Sequence, residues 1–105
     1  VSMFDLRCLV VVSAVLLAPW NAFASAELAR SKNCVACHSV ERRMIGPPFK
    51  DIAGRYANDG SAVQTLSQRI REGTVGNWGQ MPMPEQPQVS QDDAEALTRW
   101  ILSLQ

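Results

Sequence analysis

The sequence contains one histidine, His38, and past its first two dozen residues only two cysteines, Cys34 and Cys37. A structural zinc site takes four ligands, typically cysteine and histidine. These three crowded residues are the whole supply, so zinc is excluded. A disulfide between the two cysteines would close a loop over two intervening residues and gain little loop-closure entropy. A thioredoxin-like thiol site would call for a βαβ pattern around the pair, and none is present. Charge of one sign is also missing: ten basic residues balance ten acidic ones, with no lysine-rich run. That gives no footing for nucleic acid or for an anionic membrane surface. No stretch alternates apolar and polar residues like a half-buried strand, and there is no internal repeat or low-complexity tract. What remains is an all-α chain with irregular loops.

Long hydrophobic runs are absent too. Leu9 to Ala18 is apolar, but ten residues fall short of the roughly 20 that a bilayer core requires. Arg7 precedes this run, Pro19, Trp20 and Asn21 follow it, and Ala22-Phe23-Ala24 comes next. That is the order of a secretory signal, although Asp5 offsets the charge of Arg7. Residues 1–24 are therefore expected to be a cleaved signal peptide, with an alternative cut after Ala26. Residues 25–105 are expected to form a single domain. Cys8 leaves with the signal, and it is not placed like the acylated cysteine of a lipoprotein. A domain of about eighty residues has a marginal core and usually needs a disulfide, metal or cofactor staple.

Along that domain, 27–33 suits a short helix running into the cysteine pair. Gly46-Pro47-Pro48 breaks the chain, and Phe49 to Tyr56 suits a second short helix. In 61–72, Val63, Leu66 and Ile70 recur at helical spacing, with Ser61 as candidate N-cap and Gly73 as stop. Residues 74–89 form a long irregular loop, the kind that in a compact domain usually carries function. Ser90 to Asp93 makes an S-x-x-D cap for a last helix whose apolar face is Ala94, Leu97, Ile101 and Leu104, widened by Trp100.

Residues 34–38 read CVACH. On a helical turn, positions i, i+3 and i+4 share one face. Two thiols so spaced can add to the two vinyl groups of a haem while the imidazole of His38 points under the iron. Attachment of this kind is made outside the cytoplasm, in keeping with the signal. With no second histidine, the other axial protein ligand cannot be imidazole. Methionine thioether is the usual partner and raises the reduction potential. Met44, Met81 and Met83 are the candidates. Met44, six residues past His38, is too close for easy passage around a porphyrin. Met81 and Met83 lie among Pro82, Pro84 and Pro87 in a stiff, extended loop, where filling a core is not their task.

CVACH at 34–38, GPPFKDIAGRY at 46–56, QRIREG at 68–73, GNWGQMPMP at 76–84 and RWIL at 99–102 resemble class I c-type cytochromes. Within that class the likeness is to the small bacterial monohaem c-551/c-552 type, and it covers essentially all of 25–105. The resemblance implies a cytochrome c fold of four or so short helices wrapped around one haem c, attached through Cys34 and Cys37. It implies His38 and Met83 as axial ligands, with Met81 an apolar surface contact. It gives the Pro47 carbonyl the task of accepting the His38 ring N–H, and Trp78 and Arg69 that of donating to a haem propionate. The plainer readings are packing for Trp78 and a solvated helix face for Arg69. Phe49, Tyr56, Leu66, Ile70 and Leu97 would wall the haem. Two departures stand out: Gln86 where the family often has an asparagine donating to the ligand sulfur, and an extra residue around Pro87-Gln88. Ala29 also stands where an aromatic is common.

Two axial protein ligands leave the iron no vacant position, so the implied function is a diffusible one-electron carrier and not an enzyme. The implied setting is the periplasm, as a monomer serving respiratory redox proteins. A nitrite reductase, a terminal oxidase or a peroxidase would serve as acceptor. Partners would dock where Val35, Met44, Ile45, Met81, Pro82 and Pro84 ring the haem edge, with Arg42, Arg43 and Lys50 steering an acidic surface. The rival reading is a ligand-binding haem, a gas sensor or weak peroxidase, which requires Met83 off the iron. A haem module within a larger assembly is a third.

Overall fold

The computed structural model describes residues 20–105, so most of the expected signal segment lies outside the described residues. Four helices follow in order: α1 (Trp20–Ser31), α2 (Phe49–Arg55), α3 (Ala62–Glu72) and α4 (Gln91–Leu102). A 3-10 turn, Cys34–Ala36, sits between α1 and α2. The all-α expectation is met. Among the described residues the only β pairing is one isolated antiparallel bridge, Thr74 to Met83.

The first helix begins earlier than its periodicity predicts, at Trp20, because nothing between Trp20 and Ser31 breaks it and alanine recurs throughout. Both candidate cut sites fall inside it. It ends where Asn33 turns left-handed, at φ 64, a conformation asparagine tolerates better than most residues. The bounds of α2 and α3 agree with the sequence to within a residue. Ser61 precedes α3 but makes no side-chain cap; its N–H instead donates to Asp59 at 2.8 Å. Gly73 stops α3 as expected, at φ 78.

Helix α4 is organised as its pattern requires. Ser90 Oγ accepts the Asp93 N–H at 3.1 Å, and Asp92 and Asp93 lie in the first turn, where carboxylates favour the helix dipole. Ala94, Leu97 and Ile101 are buried. So is Thr98, which faces Ser67 of α3 at 3.4 Å between hydroxyls. Thr98 also donates to the Ala94 carbonyl at 2.8 Å, and Ser67 to the Val63 carbonyl. Each hydroxyl is thus satisfied by its own helix, so two polar side chains sit without penalty where α3 and α4 meet.

The buried side chains form two clusters. One joins Ala29, Val89, Ala94 and Leu97; the other joins Phe49, Ile52 and Ile101. Cys34 and Trp100 pack against both. Loss of the α4 cap in Ser90→Ala is expected to cost about 1 kcal/mol. For a domain of this size that lowers the thermal midpoint by about 4–8 °C, read by helical circular dichroism.

Candidate functional site

A cleft of about 1300 Å³, its open mouth included, runs between the clusters and the loop after α3. Its lining comes from three stretches: the cysteine turn and the loop into α2, the inner faces of α3 and α4, and residues 74–86. Leu66, Ile70, Leu97 and Ile101 supply apolar wall, as expected for Leu66, Ile70 and Leu97. Phe49 lines the cleft as expected, whereas Tyr56 packs behind it in the Phe49 cluster.

The cysteine turn sets three donors close together. The N–H groups of Cys37 and His38 both donate to the Cys34 carbonyl, at 3.2 and 3.0 Å. Cys34 and Cys37 are unbonded, half-buried thiols, and burial pushes the Cys34 thiol above its ordinary range. Among the described residues no group of three or more His, Cys, Asp or Glu side chains could hold a metal ion by itself.

His38 is buried, and its Nδ1 lies 2.7 Å from the Pro47 carbonyl. A carbonyl only accepts, so Nδ1 is the donor, and in the neutral imidazole that leaves the lone pair on Nε2 for a metal. The ring stacks on Phe49, with centroids 5.0 Å apart and planes at 18°. Gly46 lies against the same ring: a Cβ there would come within 2.5 Å of Cε1 and 2.8 Å of Nδ1. Sequence reasoning saw Gly46 only as part of a breaker. The tight approach to the imidazole is a contact that sequence alone does not show.

Residues 74–86 hold the methionines. Thr74 and Met83 exchange both backbone hydrogen bonds, at 3.0 and 2.8 Å. Gly73, at φ 78 and ψ 170, occupies a region essentially reserved for glycine. A Cβ there would lie 2.8 Å from both the Met83 carbonyl oxygen and the Glu85 nitrogen. Met83 is half-buried and lines the cleft. Met81 also reaches it but is 67% exposed. Met44 is exposed and is not among the lining residues.

Gln86, which stands where the family often has an asparagine, also lines the cleft. Its amide donates one hydrogen to the Pro84 carbonyl at 3.0 Å, and Gln88 holds its oxygen at 2.7 Å, which leaves the second amide hydrogen available at the cleft. Arg69 and Trp78 both line the cleft. One Arg69 nitrogen donates to the Tyr56 hydroxyl, which leaves others of its five donors available. The Trp78 ring is covered by Arg55, whose guanidinium carbon lies 3.3 Å from the ring centroid. Sequence gave no signal for Arg55.

An apolar cleft, two free thiols, an imidazole whose Nδ1 is taken by a carbonyl and a nearby thioether together fit a covalently attached haem. The sequence profile of the cytochrome c family matches residues 24–105, and the chain belongs to that family. It is 49% identical over 92 residues to cytochrome c-552 of Nitrosomonas europaea, covering 88% of each chain. It is 44% identical to cytochrome c-551 of Allochromatium vinosum, covering 88% of this chain and 97% of that one. The crystal structure of the Nitrosomonas europaea protein superposes with a TM-score of 0.75, over 76% of this chain and 99% of that one. The family carries one haem c per chain attached through cysteines, and Cys34 and Cys37 stand in that arrangement here.

Two glycine variants test the cradle. Gly73→Ala is expected to cost about 1–3 kcal/mol from backbone strain and to speed amide exchange at Thr74 and Met83. Gly46→Ala is expected to push the imidazole off the Pro47 carbonyl, read as a changed His38 ring resonance.

Proposed function

We propose that the chain is an exported one-electron carrier of the periplasm, with a haem c attached through Cys34 and Cys37 and its iron held axially by His38 and Met83. The observation that carries this reading is the shared cleft. It is lined by an imidazole whose free nitrogen is fixed by its partner's hydrogen bond and by a thioether pinned in a bridged loop. The bound haem supplies the one-electron exchange between Fe(II) and Fe(III).

The chain's own residues keep that exchange cheap. The Pro47 carbonyl holds the imidazole in one tautomer and orientation. The soft sulfur of Met83 favours Fe(II) and raises the potential. Apolar side chains of α3 and α4 exclude water from the cleft. Arg69 and Trp78 donate to a propionate at its edge, with Arg69 keeping one donor on Tyr56. With His38 and Met83 as its two protein ligands, a bound haem would offer substrate no open position, and the chain would act as a carrier and not an enzyme. Residues 1–24 are the cleaved export signal, and residues 25–105 are the working monomer.

Its partners are other redox proteins, periplasmic or membrane-bound, with a nitrite reductase, terminal oxidase or peroxidase as acceptor. They dock at an apolar rim on which Val35, Met44, Ile45 and Met81 are exposed, which suits a short-lived encounter. Of the three steering cations, Lys50 already pairs with Glu41 at 2.8 Å, so Arg42 and Arg43 carry the attraction. No helix among the described residues is long and apolar enough to cross a membrane.

An optical spectrum of the oxidised, haem-loaded protein tests the ligation. The weak long-wavelength sulfur-to-iron band is expected, with no shift on adding carbon monoxide after reduction. Met83→Ala should lose the band and bind carbon monoxide; Met81→Ala should keep the band. A wild type without the band that binds carbon monoxide readily has an open iron, and the sensor or peroxidase reading replaces the carrier. Association with an acidic redox partner should slow as salt rises from low to physiological strength. A flat rate removes the steering role of Arg42 and Arg43.

A further inference from the structure

Arg55, in the last turn of α2, has no place in the reading above. Among the described residues no carboxylate pairs with it. Its partners are a π face and a carbonyl instead. The guanidinium carbon lies 3.3 Å from the Trp78 ring centroid, and Nη1 donates to the Asn77 carbonyl at 2.6 Å. Arg43, from the loop between His38 and Pro47, donates to the next carbonyl, that of Trp78, at 3.3 Å. Two guanidiniums from the His38 half of the chain thus hold two successive carbonyls of the loop that carries Trp78.

That loop has little to hold it otherwise. Gly76 and Gly79 sit at φ 88 and 110, and nothing packs where their Cβ atoms would be. Glycine loses more freedom on ordering than any other residue. The loop is also wired to Met83. The Asn77 side chain donates to Thr74 Oγ1, and Thr74 is the residue bridged to Met83.

We propose that Arg55 is a positioning residue: its planar guanidinium braces Trp78 and Asn77 against α2 and, through Asn77 and Thr74, keeps the Met83 segment in register. Only the consequence for the iron rests on Met83 being its ligand; the brace itself does not. Arginine suits the task because a flat guanidinium can stack on indole while an N–H in its plane reaches a carbonyl. Lysine offers a point charge with no such plane. Exposed cation contacts are usually weak. Here stacking and a charge-assisted hydrogen bond act on one rigid group.

The test is amide hydrogen exchange in the haem-loaded protein, read at Thr74 and Met83, with Ser67 and Thr98 as internal references. In Arg55→Gln, Thr74 and Met83 should exchange about tenfold faster while the references hold. In Arg55→Lys the acceleration should be about threefold. Unchanged exchange in Arg55→Gln overturns the brace. An equal acceleration at the reference amides also overturns it, because the loss is then general. A lysine variant matching wild type overturns it as well, since charge alone would suffice. The sulfur-to-iron band, recorded on the same samples, separates the two readings. Faster exchange in Arg55→Gln with no band even in wild type supports the brace and rejects Met83 as ligand.

Discussion

The hydrogen bond between His38 Nδ1 and the Pro47 carbonyl is the contact around which the other elements are arranged. It needs a carbonyl at a fixed point beside the ring, and four consecutive residues supply one. Gly46 has no Cβ, so the backbone can lie against the imidazole. Pro47 presents the acceptor, Pro48 occupies the N-cap of α2 at φ −59, and Phe49 opens the helix with its ring stacked on His38. Phe49 also meets Trp100 edge-on at 5.4 Å, which ties the imidazole to α4. A ring held by hydrogen bond, stack and steric wall has its orientation set by the protein itself.

The other wall of the cleft uses the same device. Gly73 lets two backbones approach as Gly46 lets backbone approach ring, and the Thr74–Met83 bridge takes the place of the carbonyl contact. Between them the core is incomplete. Leu66 and Ile70 line the cleft and are only half-buried, so part of their apolar surface has no protein partner. A domain of this size buries too little surface to forgo that area. The haem c of the family, bonded to Cys34 and Cys37, completes the core as well as supplying the chemistry, and a covalent occupant cannot dissociate from the fold it stabilises.

What could be read from the chain was what depends on near neighbours. The spacing of Cys34, Cys37 and His38, the cap at Ser90, the stop at Gly73 and the apolar stripe of α4 are local, and each is present as its pattern implies. The contacts that escaped notice join residues distant in sequence. Thr74 meets Met83 through a single pair of backbone bonds, which leaves no alternating pattern to detect. Ser67 and Thr98 are buried because two helices converge on them, although hydroxyls on a helix usually face water. Gln86 is a local exception, its amide bonded to Pro84 and Gln88 two residues to either side. The early start of α1 escaped because a boundary placed at a cleavage site hid an uninterrupted helical segment.

The two sides of the cleft are unequal, and that inequality has consequences for function. His38 is held by a buried hydrogen bond and a stacked ring, inside a turn where the Ala36, Cys37 and His38 amides find acceptors. Met83 is half-buried, and its loop carries Gly76 and Gly79 with nothing packed against them. Local opening starts where buried apolar contacts are fewest. The methionine side therefore loosens first, and the free energy of loop 74–86 sets how often Met83 leaves the cleft. A carrier needs that fraction small, because every opening adds structural change to a step that is fast only when little moves. The bridge, the glycine at 73 and the prolines around Met83 all act on this one quantity, and all act from the backbone.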